Sequence, residues 1–122
     1  MEISERQAGN VVILDVRGRM TMGDGDQLFR DKISSLAHQS RVNVIVNLGG
    51  TTYMDSAGLG AIVASYTTVT RAAGTLALVN LTRSIHSLLT ITKLLTVFNT
   101  YETEDEALLS FGADTSVSEK TV

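Results

Sequence analysis

The sequence predicts an α/β fold: a mixed, largely parallel β-sheet of about five strands with about four helices packed on it. Three observations carry this prediction. Val42 to Leu48 is apolar at Val42, Val44, Ile45, Val46 and Leu48, a near-continuous β-branched run that fits a central strand covered on both faces. Other stretches place apolar residues three and four apart, the spacing of an amphipathic helix. The two patterns alternate in the order β-β-α-β-α-β-α-β-α, which favours parallel pairing with helices lying on the sheet.

Taken in order, Ile3 to Gln7 is short enough for an edge strand, and Ala8-Gly9-Asn10 supplies turn chemistry. Val12, Leu14 and Val16 then alternate with Asp15 and Arg17, which predicts a second strand over 11–17 ended by Gly18. Met20 to Gly25 reads as a glycine-bearing loop, with Asp24 or Asp26 available to cap a helix. That helix carries Leu28, Phe29, Ile33, Leu36 and Ala37 on one stripe and gives way to a polar break at His38 to Arg41. The central strand is expected to close at Gly49-Gly50, with a loop through Thr51, Thr52, Tyr53 and Met54. Leu59, Ile62, Val63, Tyr66, Val69 and Ala73 mark a second helix, with Gly74 at its ending position. Leu76 to Val79 is a short strand, and Thr82 opens a helix with Ile85, Leu88 and Leu89 on one face. A last strand over 97–101 leads to Thr103-Glu104-Asp105-Glu106, a capping box whose helix buries Ala107, Leu108 and Phe111.

The 122 residues fall in the range of one ordinary domain, expected over 1–112, with a disordered tail over 113–122 where apolar content drops. With three Phe, three Tyr and no Trp, the core must be aliphatic. A net charge of −3 supplies no positive field for nucleic acid or for an anionic membrane surface. The absence of cysteine removes disulfides, thiolate metal sites and cysteine nucleophiles. Met1-Glu2-Ile3-Ser4-Glu5 lacks the pattern of a secretory signal. No apolar run approaches the ~20 residues of a membrane helix. A cytoplasmic protein is the expectation.

The candidate functional element is the turn at Asp55-Ser56-Ala57-Gly58. A buried strand fixes its position, and the following helix offers unpaired backbone N–H groups. Either Asp55 or Ser56 could cap that helix, and on residue chemistry alone a cap is the simpler reading. Gly58 removes side-chain bulk and is expected to let another surface approach, so Gly58→Arg is expected to spare the fold and weaken binding. A phosphate on Ser56 would bring about −1.5 to −2 charges to the positive end of a helix. The fold should tolerate it there, whereas a partner packed on the turn should not.

Tyr53-Met54-Asp55-Ser56-Ala57-Gly58-Leu59-Gly60, preceded by Val44-Ile45-Val46-Asn47-Leu48, resembles the signature of anti-sigma factor antagonists, the bacterial STAS domains. The resemblance runs from about residue 3 to 112 and includes Leu94 to Phe98 and Glu104-Asp105-Glu106-Ala107-Leu108. It implies a STAS-like fold and a partner switch. The unphosphorylated antagonist binds an anti-sigma factor that is also a serine kinase, and so frees the sigma factor. Phosphorylation of the serine matching Ser56 releases the antagonist, and a metal-dependent serine phosphatase restores it. ATP and magnesium belong to the kinase, so no cofactor, metal or catalytic residue is implied for this chain, and no direct contact with nucleic acid or membrane. The implied partner surface comprises Thr21, Asp24, Tyr53, Met54, Asp55, Ser56, Ala57, Gly58 and Leu59. The family often carries an acidic residue shortly after the glycine ending its second strand. Here Thr21 takes that position, with Asp24 or Asp26 nearby as substitutes.

That departure motivates an alternative, a non-switching STAS scaffold or accessory subunit of a signalling or lipid-transport complex. A serine hydrolase fits poorly. Met54-Asp55-Ser56-Ala57-Gly58 lacks the first glycine of the nucleophile elbow, and His38 and His86 are the only histidines. Asp24-Gly25-Asp26 lacks the ligand series of a calcium loop.

Overall fold

Alternation along a strand sends successive side chains to opposite faces, and here it divides the molecule into two unequal cores. The computed structural model describes residues 1–112. Its elements are β1 (Glu2–Ala8), β2 (Val11–Met20), α1 (Asp26–His38), β3 (Asn43–Met54), α2 (Ser56–Arg71), β4 (Thr75–Val79), α3 (Arg83–Ile91), β5 (Asn99–Tyr101) and α4 (Glu104–Ser110). The strands form one five-stranded sheet in sequential order. β1 runs antiparallel to β2, and every later neighbour pair is parallel. The predicted fold class and element order are thus found. The tail predicted over 113–122 lies outside the described residues.

Sequential order joined by right-handed crossovers puts α1, α2 and α3 on the same face. Phe29, Ile33 and Leu36 of α1, Ala61, Ile62 and Val69 of α2, and Ile85 and Leu89 of α3 share one cluster there. They pack on Val12, Leu14, Val16, Val44, Val46, Leu48, Leu76 and Leu78. The other face buries Val11, Ile13, Ile45, Ala77 and Val79 beneath Ala107 of α4, with Leu108 and Phe111 against them. Arg6 pins α4 to the sheet by donating to Asp15 (Nε to Oδ2, 2.6 Å) and to Glu104 (Nη2 to Oε1, 2.6 Å).

Several predicted boundaries are corrected. Gly18 does not end β2, and Gly49-Gly50 does not end β3. Both strands run on to Met20 and Met54 through pairs Arg17↔Gly50, Gly18↔Thr51, Arg19↔Tyr53 and Met20↔Met54. Register shifts between Asp15 and Arg17 and between Gly18 and Arg19 absorb the glycines, since a bulge bends pairing without ending it. The Thr51 hydroxyl donates to the Val16 carbonyl (3.1 Å) inside this extension.

Neither Asp24 nor Asp26 caps α1. The cap position is Gly25, with no side-chain bond, and Asp26 is already the first helical residue. Asp26 Oδ1 instead accepts the Gly23 N–H (3.0 Å). Leu28 and Val63 leave their predicted stripes and face solvent. Behind α2 the left-handed residue is Ala73 (φ 64°), not Gly74. A Cβ on Gly74 would stand 2.2 Å from the Val42 carbonyl oxygen, so close approach of the chain excludes a side chain there.

Candidate functional site

The extension of β2 and β3 carries the chain directly to the predicted turn. Met54 ends β3, and Asp55 follows in an extended conformation (φ −99°, ψ −171°) as the cap of the 16-residue α2. Its two carboxylate oxygens have separate tasks. Oδ1 accepts the Gly58 N–H (2.9 Å), and Oδ2 accepts the Met22 N–H (3.1 Å) from the loop between β2 and α1. The Asp55 N–H donates to the Met20 carbonyl (3.4 Å). The Gly58 N–H, and after it the Met22 N–H, hold the Asp55 carboxyl below the usual carboxylate range. It therefore stands ionised beside Ser56 at neutral pH.

Ser56 is the first residue of α2 and is exposed. An unpaired N–H at a helix start carries partial positive charge, so the serine hydroxyl sits where added negative charge is favoured. Opposite lies a tight turn. The Asp24 N–H donates to the Thr21 carbonyl (2.9 Å), and the Thr21 N–H returns to the Asp24 carbonyl (3.3 Å). Gly23 takes the left-handed conformation (φ 76°) that this turn requires.

The predicted surface residues divide by exposure. Asp24, Tyr53 and Ser56 are exposed, while Asp55, Ala57 and Leu59 are intermediate. Thr21, Met54 and Gly58 are buried. The expectation that Gly58 admits another surface is corrected: the surface that approaches belongs to this chain. A Cβ on Gly58 would lie 2.0 Å from the Met20 carbonyl oxygen and 2.9 Å from Met54 Cγ. Gly58→Arg would therefore disrupt the junction of β2, β3 and α2 rather than spare the fold.

Sequence reasoning missed two neighbours. Met22 is 76% exposed although apolar. Its signal was an apolar residue inside a glycine loop, outside any helical or strand pattern. Arg19 places its guanidinium 5.2 Å from the centre of the Tyr53 ring, a pairing that only the extended β2–β3 register creates.

The turn is a surface rather than a cavity. A cleft of about 760 Å³ lies between α3 and β5, lined in part by Asn80, Arg83, His86 and Tyr101, and includes none of the predicted residues. His38 Nδ1 lies 2.8 Å from the Ser34 carbonyl oxygen, and His86 lines that cleft, apart from the predicted turn residues. Among the described residues no group of three or more His, Asp or Glu stands together to hold a metal. None of the described helices is long and apolar enough to cross a membrane.

The sequence model of the STAS domain matches residues 2–107. The chain belongs to the STAS domain family. Solved STAS-like structures agree in fold. A Thermotoga maritima chain described as an anti-sigma factor antagonist superposes with a TM-score of 0.83 at 22% identity, covering 88% of this chain and 92% of that one. The Bacillus cell fate determinant SpoIIAA in its phosphorylated form gives 0.71 at 20% identity, over 91% of this chain and all (100%) of that one. The murine anion transporter Slc26a9 gives 0.69 at 15% identity, over 85% of this chain but 18% of the transporter. The STAS fold thus occurs both as a free-standing antagonist and as a segment of a larger transport protein. No curated protein sequence matches the chain significantly.

Proposed function

We propose that this STAS domain is a cytoplasmic, non-catalytic anti-sigma factor antagonist controlled by phosphorylation of Ser56. Unphosphorylated, it binds an anti-sigma factor with serine kinase activity through the face around Ser56, Ala57, Tyr53 and the Thr21–Asp24 turn. The kinase transfers a phosphoryl group to Ser56, the complex separates, and a serine phosphatase returns the protein to its binding form.

The observation that carries this reading is the exposed hydroxyl at the first position of α2, next to an ionised cap. The helix start tolerates a phosphate. An opposing protein surface packed on the turn would meet its bulk and charge, with the Asp55 carboxylate adding like charge beside it. Likeness to SpoIIAA, whose structure is known in unphosphorylated and phosphorylated forms, supports the same reading.

The test is incubation with the kinase and ATP followed by intact-mass and peptide analysis. One phosphate on Ser56 is expected, and Ser56→Ala should accept none. Modification elsewhere would defeat the proposal.

A second reading is favoured by one observation. Thr21, at the position often acidic in the family, is buried and offers no charge to a kinase. A non-switching scaffold or accessory subunit, as the transporter likeness illustrates, would bind its partner with unchanged affinity after Ser56→Asp.

A further inference from the structure

We infer that Met22 is the apolar anchor by which the kinase engages this protein, and that Asp55 is the positioning residue that holds it in place. The inference rests on the reading of Ser56 as phosphoacceptor and adds what recognises it.

The turn is built to present one apolar side chain. Thr21 is buried, Gly23 has no side chain, and Met22 between them is 76% exposed. Two backbone hydrogen bonds close the turn between Thr21 and Asp24, and Asp26 Oδ1 fixes the Gly23 N–H. An exposed methionine on a floppy loop would be unremarkable; one on a turn fixed from several sides is displayed to the surroundings. Methionine is unbranched and polarisable, and adapts to irregular apolar pockets on a partner.

Position identifies the occupant. The Met22 N–H is bound by Asp55 Oδ2 (3.1 Å), and Asp55 directly precedes Ser56. Any enzyme that brings a phosphoryl donor into in-line reach of the Ser56 hydroxyl must cover the ground beside it. Met22 lies on that ground. Tyr53, half exposed with Arg19 over its ring, extends the same edge through the Met20↔Met54 and Arg19↔Tyr53 pairs. The facing kinase surface should therefore offer an apolar pocket.

Asp55 couples recognition to the phosphoacceptor. Its second oxygen is what ties the turn to α2. Asp55→Asn keeps a carbonyl to accept the Gly58 N–H and cap the helix. Its amide NH₂, facing the Met22 N–H, can only donate, so that tie is lost.

Steady-state phosphorylation of the full chain by the kinase that modifies Ser56 tests this. Met22→Lys should raise KM about tenfold or more, the scale of losing one buried apolar side chain, with kcat within about twofold. Met22→Leu should restore KM. Asp55→Asn should raise KM in the same direction, and the double variant should lose less than the product of the two single losses, because both act through one contact. An unchanged KM for Met22→Lys with Ser56 still phosphorylated overturns the anchor while leaving the phosphoacceptor standing. A loss in kcat alone, or a change only in self-association by sedimentation, also overturns it. Failure of the unaltered protein to accept phosphate at Ser56 removes the underlying reading as well.

Discussion

At Gly58 two effects oppose each other. Alanine in place of a helical glycine ordinarily gains about 1 kcal/mol. Here the added Cβ would meet the Met20 carbonyl oxygen at 2.0 Å and Met54 Cγ at 2.9 Å. Overpacking costs about 1–3 kcal/mol, and more where backbone must move, so the clash decides the sign. Gly58→Ala should lower the urea midpoint by the equivalent of about 2 kcal/mol or more. An unchanged midpoint would show that the β2 carbonyl yields freely. The sequence placed a helix cap at Asp55-Ser56 but left the choice between them open, since either oxygen can reach a first-turn N–H. The structure selects Asp55 because its second oxygen also accepts the N–H of Met22, 33 residues earlier in the chain. The same limit explains Gly58: its neighbour is a carbonyl from another strand, which no local pattern contains.

Helices were more legible than strand ends. The stripes at Phe29, Ile33 and Leu36 and at Ile62 and Val69 name buried side chains correctly, because one face of each helix meets the sheet and repeats every turn. Gly18 and Gly49-Gly50 misled, since glycine punctuates a chain read alone but is accommodated when paired strands shift register together. The capping box at Thr103 was legible in outline. Thr103 Oγ1 accepts the Glu106 N–H (3.1 Å), while Glu106 Oε1 reaches back to the Glu102 N–H (3.2 Å), one residue before the cap. Thr103→Ala should cost about 1 kcal/mol and speed amide exchange across α4 while leaving α2 protected. Equal protection in α4 would mean that the Arg6–Glu104 pair and the packing of Ala107 hold the helix without its cap.

At the scale of the whole molecule, strand–helix alternation with right-handed crossovers implies that α1, α2 and α3 share a face. No strand follows α4 among the described residues, so the crossover rule does not assign its side. Packing on Val11, Ile13, Ile45, Ala77 and Val79 does. Ion pairs then join the outer elements to the sheet. Hydrogen bonds from Lys32, and next from Arg41, hold the Glu5 carboxyl below its ordinary range. Arg6, and to a lesser degree Asn47, does the same for Asp15. Because these folded-state values lie below the unfolded ones, the pairs contribute fully above the ordinary carboxylate range. That contribution is lost as pH falls through the lowered values. The melting temperature should therefore be level from about pH 7 to 5 and decline below about pH 4, less steeply in Arg6→Gln. A flat profile down to pH 3 would show that these pairs add nothing to stability.

The central claim is that charge added to Ser56 acts on a partner's surface and not on the fold. Equilibrium titration of the anti-sigma partner against the unphosphorylated and the Ser56-phosphorylated protein tests it most directly. The dissociation constant should rise by about a hundredfold or more, equivalent to roughly 2.7 kcal/mol, while both forms give the same far-ultraviolet dichroism. Equal affinity of the two forms, or weaker binding accompanied by loss of helical signal, would contradict it.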